Sequence, residues 1–351
     1  MPREFLDRML SEMEIGVGLD PTLRLSWEEQ RQMAQEALRL GYTSAWTPSG
    51  ATGRDAFHVC AQWSAATGGK LGTGISVVPV AHWTAPQLAA TAATVGELSG
   101  GTFGLGIGTG GAYVEGAQSA YGLPAYPPIA LMRDYLITLR CLLAGERVDH
   151  TGPTVTLKGV QLGFRTPPVP VYLGALGPQM LRLAGQASDG ACLNWCSPEQ
   201  IAWSRRRIAE GAKRAGRDAA GVRVVEYIRM CVDEDVDGAR RALARSTMGY
   251  ALARPGTSKE QGYRAHFARM GFDEALTNLE ARRERGASDD ELADAFPPDL
   301  LLHTSYFGPP AGAAAAFRRL AQGLDVAIVR IVAARPGVAA VAGAMRACSG
   351  A

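Results

Sequence analysis

The sequence predicts an α/β fold, a (β/α)8 TIM barrel with insertions that occupies residues 1–351 as one domain. Three observations predict it. Eight short apolar runs alternate with stretches of helical pattern. The runs are apolar at nearly every position, as expected when both faces of a parallel sheet are buried. The 351 residues would suit two average domains, but they also accommodate a barrel with insertions. A count of eight favours closure over an open doubly wound sheet.

The elements follow in order. Glu14 to Leu19 is the first strand. Ser26 opens a helix to Leu40, with Glu29 placed as in a capping box, and Gly41 stops it. Thr43 to Thr47 is the second strand, ended by Pro48-Ser49-Gly50. Asp55 caps a helix through Ala66. Lys70 to Val78 is the third strand, and Ala85 to Leu98 the helix after it. Thr102 to Ile107 is the fourth strand, leading into Gly108-Thr109-Gly110-Gly111. A loop rich in tyrosine and proline precedes a helix from Ile129 to Leu143. Residues 145–168 break the rhythm. Val148 to His150 and Thr154 to Leu157 flank Thr151-Gly152-Pro153 and read as a hairpin insertion.

Val171 to Leu173 is the fifth strand. A tight turn, Gly174-Ala175-Leu176-Gly177, follows, and Pro178 suits the first position of a helix to Ala187. Gly190 to Trp195 is the sixth strand, with Ser197 and Pro198 opening a helix to Ala215. Val222 to Val232 is the seventh. A charged, helical segment near 233–300 is the second insertion. Gly312 to Ala321 is helical, Val326 to Ala333 is the eighth strand, and Val338 to Cys348 closes the chain.

Composition narrows the function. Apolar residues make up 47% of the chain and the net charge is +2, so neither a nucleic-acid nor a membrane surface is expected. Met1 to Glu14 lacks a signal-peptide core and no apolar run is long enough for a bilayer, so a cytoplasmic protein is expected. The six cysteines fit no common zinc spacing and read as reduced core thiols. His58, His150, His266 and His303 share no metal-ligand spacing either.

In a barrel the site gathers at the C-terminal strand ends. Gly177 and Pro178 begin a helix behind small residues, which reads either as an ordinary βα turn or as an anion site built from free N–H groups. Gly106 to Gly111 matches G-x-G-x-x-G, but no helix opens at once, so a dinucleotide motif is disfavoured. Glycines there suit a flat ring lying against the backbone, or a plain flexible loop. His82 is a candidate proton donor, set against a structural role. Trp83, Tyr113, Tyr121, Tyr126 and Trp195 are candidates to line an apolar cleft or to pack the rim. Arg54-Asp55 reads as a helix-start pair. Glu115 is a candidate acid or a solvated loop residue. Asn194, at the sixth strand tip, is a candidate to hydrogen-bond a cofactor tail.

Several stretches carry a resemblance. They are Trp46-Thr47-Pro48-Ser49 through Gly53-Arg54-Asp55-Ala56-Phe57, Leu71 to Val77, Leu98-Ser99-Gly100-Gly101 with Leu105 to Gly110, Val171 to Pro178, Ala187-Ser188-Asp189-Gly190 and Ala333 to Gly337. With them the chain resembles the luciferase-like flavin superfamily. Within it, the branch that uses the deazaflavin coenzyme F-420, including methylenetetrahydromethanopterin reductases, is the most similar.

The resemblance implies that Ser49 faces the deazaflavin ring and that a non-proline cis peptide at or beside Ser76-Val77 backs it. It implies that Gly108, Thr109 and Gly110 contact the ring or its ribityl chain, and that Ala175, Leu176, Gly177 and Pro178 hold the phosphate. Relatives that oxidise sugar phosphates often carry an Asp-His pair and a Glu where this chain has Ser49-Gly50 and Gly111, so a reductase acting on a C=N or C=C bond of a small molecule is expected instead. An FMN-dependent monooxygenase is the alternative reading, and a non-catalytic flavin-binding protein the third. By analogy the resemblance also implies a homodimer.

Overall fold

The computed structural model describes residues 13–110, 115–254 and 257–350. Its centre is a closed barrel of eight parallel strands. These are β1 (Glu14–Gly18), β2 (Ser44–Thr47), β3 (Gly72–Pro79), β4 (Phe103–Gly108), β7 (Val171–Gly174), β8 (Gly190–Asn194), β9 (Arg223–Val232) and β11 (Val326–Ile331). Each strand pairs with the next, β8 pairs with β9, and β11 returns to β1 with Glu14 opposite Val326. The eight strands expected from the sequence are these eight.

Local chemistry explains the boundaries. Ser26 and Glu29 form the anticipated capping box at the helix Trp27–Arg39, a motif whose N-cap alone is worth about 1 kcal/mol. Gly41, just past that helix, sits at φ +86°. The Asp55 carboxylate accepts from the His58 N–H at 2.9 Å and caps the helix Ala56–Ala66. Arg54 does not join it: its guanidinium donates to the Leu25 carbonyl and lies over the Trp27 ring.

The insertions are placed as expected, with adjusted bounds. β5 (Val148–Thr151) and β6 (Thr156–Val160) form the antiparallel hairpin, the second strand starting two residues later than the pattern suggested. The buried Asp134 carboxylate explains the shift, because it takes the N–H groups of Thr154 and Val155 and the Thr154 hydroxyl out of strand pairing. The second insertion contains the helices Val236–Ala251, Gly262–Phe267, Asp273–Glu284, Asp289–Asp294 and Pro298–Thr304. It has its own apolar core around Phe267, Leu276, Phe296 and Leu300, fused to the barrel through Trp195 and Cys231.

Three features depart from the sequence reading. Part of the loop before Pro128 is helical, from Glu115 to Tyr121. A ninth parallel strand, β10 (Ser305–Gly308), pairs with Arg229 to Val232 of β9. Arg229 and Met230 already pair with β11, so β10 lies on the opposite side of β9, beyond the end of β8. Four residues directly after a helix carry too little periodicity to announce a strand. The helix expected from Gly312 begins at Pro310. All six cysteines are free and five are buried. Among the described residues, no helix is long and apolar enough to cross a membrane, and no group of three or more His, Cys, Asp or Glu is placed to hold a metal.

Candidate active site

The strand tips open onto a cavity of about 700 Å³, a size typical of small-molecule sites. Ser49, Ser76, Val77, Gly108, Thr109, Gly110, Ala175, Leu176, Gly177, Pro178 and Asn194 all line it. The topology brings them together because β2, β3, β4, β7 and β8 are consecutive neighbours around the barrel.

One wall is built to let a flat group approach the backbone. The Ser76-Val77 peptide is cis, and the β3–β4 register shifts between Ile75 and Val78, so β3 bulges at the cavity. Opposite the bulge, a Cβ on Gly106 would stand 2.3 Å from the Ile75 carbonyl oxygen. Gly110, at φ +61°, would place a Cβ 2.2 Å from Pro79. β3 and β4 can run this close only because neither position carries a side chain.

The turn after β7 is open. No side chain caps the helix Pro178–Ala187, and a Cβ on Gly177 would meet nothing within 4 Å. Among the described residues, the Leu176 and Gly177 N–H groups have no protein acceptor. An uncapped helix start of this kind is suited to an anion.

The other wall comes from β8, β9, β11 and the second insertion. Tyr227, Tyr250, Tyr263 and Arg330 line it. Asn194 is engaged at both ends: its Nδ2 donates to the Tyr263 hydroxyl at 2.7 Å, and its Oδ1 accepts from Arg229. Arg229 is 1% exposed, and its guanidinium carbon sits 3.7 Å from the Trp195 ring centroid. Burial lowers its pKa to about 10. Beneath it, Glu226 accepts from the Cys196 N–H at 2.6 Å, and burial pushes its carboxyl up to about 8. His266, buried against the Trp195 carbonyl, is pushed down to about 4 by burial.

His82 stands apart. It ends the short turn Val80–His82, does not line the cavity, and packs edge-on against Tyr121 at 5.2 Å. Of the two roles open to the aromatic residues, packing is the one that the described ones take. Trp83 packs on Phe57, Trp195 is fully buried beneath Arg229, and neither Tyr121 nor Tyr126 lines the cavity. Tyr113 and Gly111 lie outside the described residues, and the Glu115 side chain is not described. Tyr227, Tyr250, Tyr263, Arg229 and Arg330 went unnoticed in the sequence. Tyr227, Arg229 and Arg330 sit inside strands, where alternation about β9 and β11 could have flagged polar side chains turned into a barrel.

The family model of the luciferase-like monooxygenases matches residues 9–326. The chain belongs to this family. Among the luciferase-like relatives is a 5,10-methylenetetrahydromethanopterin reductase of Methanolobus tindarius, 29% identical over 329 residues, covering 91% of this chain and 92% of that protein. Another is a putative coenzyme F-420-dependent oxidoreductase of Mycobacterium tuberculosis, 27% identical over 312 residues, covering 84% of this chain and 87% of that protein. The luciferase-like barrel also superposes on the coenzyme F-420-dependent tetrahydromethanopterin reductase of Methanopyrus kandleri with a TM-score of 0.79 at 20% identity, covering 96% and 97% of the two chains.

Proposed function

We propose that this chain is a coenzyme F-420-dependent oxidoreductase acting as a reductase, with a C=N or C=C bond of a small organic molecule as hydride acceptor. The observation that carries the reading is the wall made by the Ser76-Val77 bulge, Gly108 to Gly110 and the uncapped turn Ala175 to Pro178. In this reading a tricyclic ring would lie against the first two, and a phosphate would meet the third. The names of relatives that span most of the chain support the same cofactor.

Bound and reduced, the deazaflavin would supply the hydride. The chain's own part is positioning. Val77 and Pro79 would set the ring against the glycine strand, Ser49 would face it, and the Leu176 and Gly177 N–H groups would fix the phosphate end. Water or a cavity hydroxyl would deliver the proton, since His82 is off the cavity wall. FMN carries a phosphate of its own, so an FMN-dependent monooxygenase is the second reading. A homodimer is part of the proposal, and light scattering tests it.

The deciding experiment is a titration of the purified protein with F-420 and, in parallel, FMN, followed by absorbance and fluorescence. Tight F-420 binding with weak FMN binding supports the reading. FMN preference moves it to the monooxygenase, tested by oxygen uptake. Binding of neither removes the cofactor assignment.

A further inference from the structure

The cavity wall formed by β8, β9, β11 and the second insertion holds hydrogen-bond donors that the protein leaves unused. Tyr227 is 2% exposed and lines the cavity, and among the described residues its hydroxyl has no partner. The Tyr263 hydroxyl oxygen accepts from Asn194, and among the described residues nothing accepts its proton. Arg330 gives one amino group to Asp20. Among the described residues no acceptor meets its Nε or Nη1. Its guanidinium carbon is 5.0 Å from the Tyr227 ring centroid, so two of these donors are neighbours. Behind Asn194, the Nε and Nη2 of Arg229 are also unpartnered among the described residues.

The charges here do not cancel. The guanidiniums of Arg229 and Arg330 are met by the carboxylate of Asp20, paired with Arg330, while burial raises the Glu226 carboxyl to about 8. Glu260 and Arg269 also line the cavity and are exposed, and Arg269 reaches across to donate to the Leu176 carbonyl at 3.2 Å. A buried donor without an acceptor costs about 1–3 kcal/mol, a cost that a ligand oxygen would relieve.

We propose that this wall receives an oxygen of the substrate, the carbonyl or carboxylate oxygen of an α,β-unsaturated ketone or acid, through Tyr227, Tyr263 and Arg330, and that it disfavours a cationic iminium. The inference rests on the reductase reading and narrows its substrate to a conjugated C=C bond. Reduction of such a bond places a hydride on the carbon β to the carbonyl. The C=C π pair shifts to join the α-carbon to the carbonyl carbon, the carbonyl π pair moves to the oxygen to give an enolate, and a proton from solvent ends on the α-carbon. The oxidised deazaflavin is the other product. Phenol and guanidinium donors would then meet the oxygen on which negative charge develops.

The test uses protein loaded with oxidised F-420, whose fluorescence reports ligands entering the cavity. The probes are trans-cinnamate, a conjugated acid, and N-methylquinolinium, a flat cation of similar size. Cinnamate is expected to bind at least about tenfold more tightly than the cation. Tyr227→Phe and Tyr263→Phe keep the ring packing and are each expected to weaken cinnamate about five- to tenfold. Their F-420 affinity should stay within about twofold, because that ligand meets the opposite wall. Ligand-free Tyr227→Phe should melt no lower than the wild type, since it removes a buried hydroxyl that bonds nothing; a hydroxyl kept for structure would lower it. Cation binding equal to or tighter than cinnamate, no cinnamate binding, or unchanged cinnamate affinity in both variants overturns the inference. Failure of F-420 itself to bind is seen before any probe is added and overturns the cofactor reading together with this one.

Discussion

The two walls of the cavity are built by opposite means. The β3–β4–β7 wall is made of contiguous short motifs in which glycines let the backbone come close and short side chains such as Ser76, Val77 and Pro79 fill in. The β8–β9–β11 wall is made of long side chains from residues far apart in sequence, such as Asn194, Tyr227, Tyr263 and Arg330. The first tolerates no added atoms where strands approach and no negative charge where the turn opens. The second depends on burial and on hydrogen bonds between side chains. A shape-based wall suits a cofactor that is always the same. A wall of donors suits discrimination among substrates.

Gly177→Asp should give the largest effect. A side chain there meets open space, so the fold should survive, yet the carboxylate would face the phosphate. F-420 affinity is expected to fall by at least about a hundredfold, on the scale of like-charge contacts in a recognition site. Unchanged affinity in a titration would remove the turn from the cofactor wall.

Gly106→Ala probes shape on the same wall. Its methyl would strike the Ile75 carbonyl oxygen, and backbone cannot give way cheaply. A loss of about 2–3 kcal/mol of stability is expected in denaturant unfolding. A loss below about half a kcal/mol would mean that the two strands are not held at this separation.

Glu226 probes the opposite wall through pH. Its folded pKa of about 8 lies above the ordinary 4.5, so its favourable contribution is complete below about 4.5 and is lost as pH rises toward 8. His266, lowered to about 4, acts in the other sense: its contribution is complete above 6.5 and is lost as pH falls toward 4. The two oppose each other between pH 4.5 and 6.5, so the clean window is pH 6.5 to 8. There the wild type should lose thermal stability with rising pH, and Glu226→Gln should flatten the profile. Identical profiles would show that Glu226 is ionised in the folded protein.

The smallest effect is expected from His82→Ala, which lies outside both walls. F-420 affinity should stay within about twofold, the level of an ordinary surface substitution. A turnover loss of about a hundredfold, the scale of a missing general acid, would instead bring the imidazole to the substrate.

The sequence was legible where neighbours in the chain decide the structure. Ser26 with Glu29, Asp55 before its helix and Gly41 after one set their boundaries through contacts within four residues. Eight apolar runs sufficed for the barrel because strand burial and right-handed connections leave few arrangements. That the proposed cofactor residues share one cavity was legible for a related reason: they stand in short runs at strand tips, and closure of the sheet brings strand tips together. Asn194 was legible as a cavity residue, but its partners Arg229 and Tyr263 were not, since they lie 35 and 69 residues away.

By itself, then, the sequence determined the period of the elements, their caps and turns, and the glycine-rich strand tips, because each rests on local backbone geometry. Only the tertiary structure decided which aromatic side chains line the cavity and which are buried. It moved Trp195 beneath Arg229, packed His82 against Tyr121 away from the cavity wall and brought Tyr263 in from the second insertion. The physical reason is that orientation, burial and the pKa of groups such as Glu226 depend on neighbours that are distant in the chain and adjacent only after the barrel closes.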